Sequence, residues 1–364
     1  MALQMQAEGK GAVSSQRRFA LTRWGTSRGL GLTVLGLLAA AMLAVSVMTG
    51  ASAASVLNVV RSLFSEPDNP AMLLRDRIVI VDIRLPRAAL GFLTGAALAV
   101  SGAVMQGLFR NPLADPGVVG VSAGASLGAV FWIVFGNTLL STVTAALGVF
   151  ALPAAAFLGG LLVTFVLYKL ASQDGETRIG TLLIAGIAVA ALAMALTGLL
   201  IYMADDRQLR DITFWSLGSL AGSTWEKAAI AALVIFPCLA IVPFLGRGLN
   251  AFTLGEAAAF HMGVPVELFK RSAIVMVAAA TGVSVAFSGG IVFVGIIVPH
   301  LIRLAAGPDH RFLLPGSALL GGSLLLAADM VARVIVAPAE LPIGILTALI
   351  GSPFGYCFVA ARAG

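Results

Sequence analysis

Residues 88–109 read AALGFLTGAALAVSGAVMQGLF, an apolar stretch of 22 residues without a charged side chain. About 20 apolar residues in a helix span the hydrocarbon core of a bilayer, so this stretch predicts a membrane-spanning helix. Nine further segments have the same character: 30–50, 118–140, 147–168, 181–203, 228–246, 272–289, 291–305, 312–332 and 343–361. The sequence therefore predicts an all-α polytopic membrane protein with about ten transmembrane helices.

The composition of the whole chain agrees with a location in the bilayer. Of the 364 residues, 59% are hydrophobic and 11% are charged, and the mean hydropathy is +1.00. Soluble globular domains carry about 25% charged residues. These values exclude an ordinary soluble domain and a disordered chain, and the continuous apolar stretches exclude a membrane β-barrel, whose strands alternate in polarity.

The basic residues predict the orientation of the chain. The net charge is +6, but the charges lie in short connectors, which indicates topology signals and not a nucleic-acid surface. With a cytoplasmic tail over residues 1–28 and both termini in the cytoplasm, 14 of the 23 Lys and Arg residues lie on the inside. The outer excess is concentrated in Arg75, Arg77, Arg84 and Arg87, which suggests that this outer cluster has a function.

The predicted transmembrane domain, residues 29–364, contains a repeat. An offset of 187 aligns Arg84 with Arg271 and Ser101-Gly102 with Ser288-Gly289. The predicted halves, 29–205 and 226–364, hold five helices each, and an odd number inverts the second half in the membrane. Inverted repeats are typical of transporters that work by alternating access.

Small residues recur at every fourth position in two predicted helices. They are Gly91, Gly95, Ala99, Ala103 and Gly107 in the first helix, and Gly120, Gly124 and Gly128 in the second. This spacing lets helix backbones approach closely in a bilayer. It predicts tight packing and no ligand site.

The sequence offers no energy source of its own. The GxxxxGK[ST] pattern does not occur, so ATP hydrolysis is expected on a partner subunit. An ion-driven transporter is the alternative; its best titratable candidates, Asp329 and Arg333, are spaced to pair with each other on one helix. Catalytic motifs are not found, and neither the three histidines nor Cys238 and Cys357 form a metal-binding pattern, so no catalytic or metal residues are predicted.

The connector at 253–271 is interpreted as two short cytoplasmic helices that dock on a partner. Thr253 and Glu256 form a T-x-x-E capping box. The first helix runs to Met262, Gly263 ends it, and Pro265 starts the second. An amphipathic turn resting on the membrane is the alternative interpretation.

Several long motifs resemble one family. RLPR at 84–87, SGAVMQGLFRNPLADPGVVGVSAGASLG at 101–128, VPHLIR at 298–303, DHRFLLPG at 309–316 and APAELPIG at 337–344 are similar to FecCD or BtuC-type permeases, which serve ABC importers of ferric siderophores, haem and vitamin B12. The resemblance implies two copies of a ten-helix permease in the bacterial inner membrane. It further implies two cytoplasmic ATPase subunits that hold the ATP, and a periplasmic binding protein.

The resemblance also implies roles for individual residues. The implied roles are docking of the binding protein by Arg84, Arg87 and Arg333; ATPase coupling through Thr253, Glu256, Phe260, His261, Met262, Gly263 and Val264; and a cytoplasmic gate at Asn111 and Leu113. For Asn111, the alternative to the gate role is that its side chain caps an Asn-Pro turn.

The identity of the cargo is inferred from the resemblance alone. ADDRQLRDITFW at 204–215, together with RNPLADPG and VAPAELPIG, is most similar to the haem-importing branch. The implied cargo is haem, delivered by a haem-binding protein, with no permanently bound cofactor. The apolar, Gly- and Ala-rich spans are equally compatible with a ferric siderophore or cobalamin as the cargo.

Overall fold

The computed structural model describes residues 28–363, apart from 51, 53, 63, 65–69, 174 and 338; the predicted tail up to residue 27 lies outside these residues. The described chain is helical almost throughout. Its helices are α1 Arg28–Met48, α2 Val56–Arg61, α3 Pro70–Arg77, α4 Leu85–Leu108, α5 Val121–Phe135, α6 Ser141–Leu147, α7 Ala151–Ala171, α8 Ile179–Met203, α9 Asp206–Leu217, α10 Trp225–Phe252, α11 Glu256–His261, α12 Val266–Ser288, α13 Val294–Ala306, α14 His310–Val334 and α15 Ile343–Ala363. Strands in the described ranges are confined to a small antiparallel hairpin, β1 Ser172–Gln173 and β2 Glu176–Thr177.

Each of the ten predicted spans coincides with a helix. Among the described residues, seven helical segments are long and apolar enough to cross a membrane, and three shorter apolar helices, α5, α13 and the described part of α15, occupy the remaining predicted positions. The adjoining predicted spans 272–289 and 291–305 are indeed separate helices, because Gly289 and Phe293 between them both have positive φ. The chain is an all-α polytopic membrane protein, while the inverted relation of its two halves stays a prediction.

Besides the short helices α2, α3 and α6 and two 3₁₀ turns, two further helical segments were not predicted. A π-helical turn, Ile78–Arg84, joins α3 to α4 and makes one continuous helix from Pro70 to Leu108. The second is α9, which begins with a capping box: Asp205 Oδ1 accepts from the Gln208 amide at 2.8 Å, and Gln208 Oε1 accepts from the Asp205 amide at 3.0 Å. Such a box satisfies two helix-terminal amides at once and starts a helix in a charged segment.

Helix α4 lies at the centre of the bundle, packed against α10, α12, α13 and α14. Nearly all of its residues are buried. Two of its glycines permit the closest crossings: a Cβ on Gly95 would overlap the carbonyl of Gly321, and a Cβ on Gly102 would overlap the carbonyl of Gly295. The predicted small-residue stripe of α4 therefore sets its distance from α13 and α14.

The second small-residue stripe brings α5 against α7. A Cβ on Gly124 would overlap the carbonyl of Gly159, and a Cβ on Gly128 would overlap the carbonyl of Ala155. Close backbone approach is a main source of helix association in lipid, where hydrophobicity does not drive helices together. The tight packing predicted from this stripe is confirmed.

Candidate functional site

Four charged residues, Arg87, Asp329, Arg333 and Glu340, meet where α4, α14 and the connector to α15 come together. Arg84, at the end of the π-helical turn, bonds to the same end of α1 as Arg333. We call these five residues the outer charge cluster, after the side of the membrane predicted for them. Asp329 is fully buried and lies between two guanidinium groups. Arg87 Nη2 is 2.8 Å from Asp329 Oδ1, and Arg333 Nε is 3.1 Å from Asp329 Oδ2. Glu340 adds a partner for Arg87 Nη1 at 2.8 Å.

The pairing of Asp329 with Arg333 confirms the interpretation of their spacing on one helix. The third partner, Arg87, is 242 residues away from Asp329 in sequence and lies on α4. The carboxylate therefore ties the central helix to α14. A buried carboxylate held by two buried cations is costly to disrupt, because removal of one partner leaves unpaired charge in a low-dielectric interior.

Two cluster arginines also hold the end of α1. Arg84 Nη1 donates to the carbonyls of Val47 and Met48 at 3.1 and 3.0 Å. Arg333 Nη2 donates to Ser46 Oγ at 3.0 Å. The two bonds from Arg84 satisfy carbonyl groups that the last turn of a helix leaves without a partner, and the bond from Arg333 reaches a hydroxyl in the same turn.

The cluster arginines are turned inward. Arg84, Arg87 and Arg333 are only 4%, 7% and 6% exposed. The structure brings together the three arginines expected to dock a binding protein, but their hydrogen bonds are made within the chain. Docking by these residues stays a prediction, and it requires that an incoming acid compete with internal partners.

The predicted capping box at the start of the coupling segment is wrong. Helix α10 continues to Phe252 and uses Thr253 as its C-cap, and Thr253 Oγ1 donates back to the Asn250 carbonyl at 2.6 Å. Helix α11 starts after Gly255, which has a φ of +109°. The side chain of Glu256 pairs instead with Lys270, at 2.6 Å. The local capping signal is overridden by the longer α10 and by a tertiary ion pair.

The second short helix of the predicted pair is the first part of the long helix α12, which begins at Val266 and runs without a break to Ser288. The predicted stop at Gly263 is confirmed by its φ of +82°. The coupling segment is therefore one short helix followed by a turn. It presents its apolar side chains to solvent: Leu254, Phe260 and Met262 are 70%, 66% and 53% exposed, His261 is exposed and Val264 is half-buried.

The proposed gate residues lie in the turn after α4. Asn111 Oδ1 accepts a hydrogen bond from the Leu113 amide at 3.0 Å, so Asn111 caps the Asn-Pro turn, as its alternative interpretation expects. Leu113 is 45% exposed. Further along this connector, Asp115 Oδ1 accepts from the Gly117 amide at 2.8 Å, and burial raises the pKa of the Asp115 carboxyl. The gate role of Asn111 and Leu113 stays a prediction.

Sequence reasoning missed two residues of these sites. Glu340 carried no signal beyond its motif, and Lys270 was counted only as an inside charge. Lys270 is 3% exposed and contacts both Glu256 and Glu267. A basic residue at the start of a span, three positions after an acid, was a usable signal for an ion pair.

Comparison with known proteins places these features in a family. The sequence model of the FecCD transport family matches residues 37–359. The hemin transport system permease protein HmuU of Yersinia pestis is 44% identical over 294 residues, which are 81% of this chain and 85% of the relative. The cobalamin import system permease protein BtuC of Halobacterium salinarum is 45% identical over 278 residues, 76% of this chain and 72% of the relative.

A solved structure has the same fold. It is a metal-chelate type ABC transporter in an inward-facing conformation, with a TM-score of 0.77 and 33% sequence identity. The match covers 91% of this chain and 98% of the solved chain. The likeness therefore extends over most of both halves of the helical bundle.

Proposed function

Because the chain belongs to the FecCD transport family and is a permease subunit of an ABC importer, we propose that it moves haem from a periplasmic binding protein to the cytoplasm. Transport proceeds by alternating access of two copies in the inner membrane, with both termini in the cytoplasm. ATP is hydrolysed by two separate ATPase subunits, because the chain has no phosphate-binding motif of its own.

The observation that carries haem as cargo is the 44% identity to the hemin permease of Yersinia pestis over 81% of this chain. The stretch 204–215, which resembles the haem-importing branch, forms most of α9 and exposes Phe214. An exposed aromatic ring suits a flat macrocycle. Cobalamin is the second candidate, because the Halobacterium salinarum relative is 45% identical over 76% of the chain.

A cargo panel distinguishes these candidates. The permease is reconstituted in liposomes with its ATPase subunits and its binding protein, and haem, cobalamin and a ferric siderophore are offered separately. We expect haem alone to accumulate in an ATP-dependent manner and to stimulate ATP hydrolysis. Accumulation of cobalamin without accumulation of haem would assign the second cargo and refute the first.

Coupling to the ATPase is proposed for α11 and its following turn. The support is an exposed apolar surface on a short helix, formed by Phe260 and Met262, that can insert into a groove of a partner. The direction of this surface depends on the turn at Gly263, whose φ of +82° is unfavourable for a β-branched residue.

Gly263→Val is expected to reduce the ATPase that copurifies with the permease by about tenfold, because of the strain at a positive φ. The measurement is the ratio of ATPase to permease after affinity purification. Gly263→Asn is the matched control, since asparagine tolerates a left-handed conformation, and it should retain binding within about twofold. There is open space around this position, so a steric clash does not complicate the comparison. Equal retention of ATPase by both variants would show that the turn at Gly263 does not contribute to ATPase binding.

Docking of the binding protein is proposed for Arg84, Arg87 and Arg333, with complementary acids on the partner that steer the encounter. Charge reversal of these arginines would break buried bonds within the chain whether or not they dock. Glu340 offers a cleaner test because its side chain is 39% exposed and occupies Arg87 Nη1. It competes for the guanidinium that an incoming acid would use.

Glu340→Gln is therefore expected to tighten docking, by up to about fivefold, which corresponds to the loss of one partly exposed ion pair. The measurement is the affinity of the binding protein for the permease in nanodiscs, repeated at high salt, where the gain should shrink. Weaker or unchanged affinity at low salt would speak against Arg87 as a docking residue.

A further inference from the structure

Lys270 carries a buried ammonium group near the beginning of α12. Its side chain is 3% exposed, and Nζ is surrounded by three oxygen atoms: Glu256 Oε2 at 2.6 Å, Glu267 Oε1 at 2.8 Å and the Thr177 carbonyl at 2.7 Å. An ammonium group has three donors, so these three acceptors satisfy it completely.

The three acceptors come from three different elements. Glu256 is the first residue of α11, Glu267 belongs to α12, and Thr177 ends the β1–β2 hairpin. The hairpin makes a second bond to α12, because the Thr177 amide donates to Glu267 Oε2 at 2.8 Å. Helix α8 starts at Ile179, two residues after Thr177. One side chain thus connects the coupling helix to the beginning of a membrane-spanning helix in the first half of the chain.

Helix α11 has few other attachments. It is six residues long, and of its residues only Ala259 is buried. The glycines at its two sides, Gly255 and Gly263, both have positive φ and form its two turns. Apolar packing therefore contributes little to the position of α11, and the bond from Glu256 to Lys270 determines how the helix sits against the hairpin.

We propose that Lys270 is a positioning residue that transmits movement of α11 to the start of α8, so that nucleotide-driven motion of an ATPase reaches the transmembrane helices of both halves. This inference rests on the proposed coupling function of α11. The two carboxylates are partly exposed, at 38% and 37%, but the ammonium group is buried and uses all three of its donors. Separating α11 from the hairpin would leave one of these donors without its acceptor, so we expect α11, the hairpin and α12 to move as one unit.

The test uses the assembled transporter in liposomes and counts cargo molecules transported per ATP hydrolysed. Lys270→Met keeps an unbranched side chain, one atom shorter than lysine, and removes the charge. It is expected to lower cargo per ATP by about fivefold, the size of effect typical of residues that carry coupling between sites. The proposed ATPase contacts, Phe260 and Met262, are unchanged in this variant, so bound ATPase and its hydrolysis rate should change by no more than about twofold. Arg271→Met is the matched control, because Arg271 is the exposed neighbour, and it should leave the ratio unchanged.

Glu256→Gln supplies a second variant if Lys270→Met fails to fold. It removes the charge of Glu256 and leaves at most a neutral hydrogen bond between α11 and Lys270, while Lys270 keeps Glu267 and the Thr177 carbonyl. A merely structural role would lower the yield and thermal stability of both variants but would leave cargo per ATP at the wild-type value, and that result would overturn the inference. If the wild type shows no ATP-driven uptake of any cargo, the proposed function itself fails; if it transports a cargo other than haem, the ratio is measured with that cargo.

Discussion

Asp329→Asn is expected to lower the free energy of unfolding by about 3–5 kcal/mol, the cost of breaking a buried ion pair from one side. The substitution preserves the shape of the side chain but leaves the guanidinium groups of Arg87 and Arg333 without their shared carboxylate. Both guanidiniums lie in the interior, where the remaining charges also repel each other. The measurement is reversible denaturant unfolding in mixed micelles, followed by circular dichroism.

Glu340→Gln is the matched control for this prediction. It removes a carboxylate from the same guanidinium of Arg87, but the Glu340 side chain is 39% exposed. Its expected cost is at most about 1 kcal/mol, because a partly exposed pair is screened by solvent. Equal costs for the two substitutions would show that burial of Asp329 does not set the strength of the cluster.

Gly102→Ala is the second substitution with a large expected effect. A Cβ at this position would overlap the backbone of Gly295, so α4 and α13 would have to separate along their crossing. A backbone cannot rotate away as a flexible side chain does, and we expect a loss of at least about 3 kcal/mol, at the upper end of overpacking in a core. The measurement is the free energy of unfolding, supported by the yield of monodisperse protein.

Gly198→Ala is expected to change the free energy of unfolding in the opposite direction. Gly198 lies inside α8 with open space around the position of a Cβ. Alanine favours a helix over glycine by up to about 1 kcal/mol, so this variant should be as stable as the wild type or more stable. Equal tolerance of Gly102→Ala would contradict the close crossing of α4 and α13 at Gly102 and Gly295.

The positions of ten apolar helices could be predicted from the sequence, because each span needs a continuous apolar stretch and hydropathy reports that directly. The small-residue stripes were equally readable, since spacing by four places Gly95 and its neighbours on one face of a helix. The pair of Asp329 and Arg333 followed from the same helical geometry. All three inferences depend on local pattern and on a known period.

The sequence-based predictions were wrong or incomplete where residues distant in sequence compete with a local signal. Thr253 and Glu256 have the spacing of a capping box, but Lys270, fourteen residues further along, takes the carboxylate of Glu256. Arg87 reaches Asp329 across 242 residues, and no spacing rule relates them. The inward direction of the cluster arginines is likewise a result of tertiary packing, and the sequence showed only that several basic residues are close together.

ATP-driven uptake in the absence of any ion gradient tests the central claim most directly. Liposomes contain the permease and its ATPase subunits, with the binding protein and haem outside and ATP inside. The account predicts that haem accumulates, and that it does not accumulate when the ATPase subunits carry an inactivating substitution in their hydrolytic site. Uptake by the permease alone, driven by a proton or sodium gradient and indifferent to ATP, would contradict it.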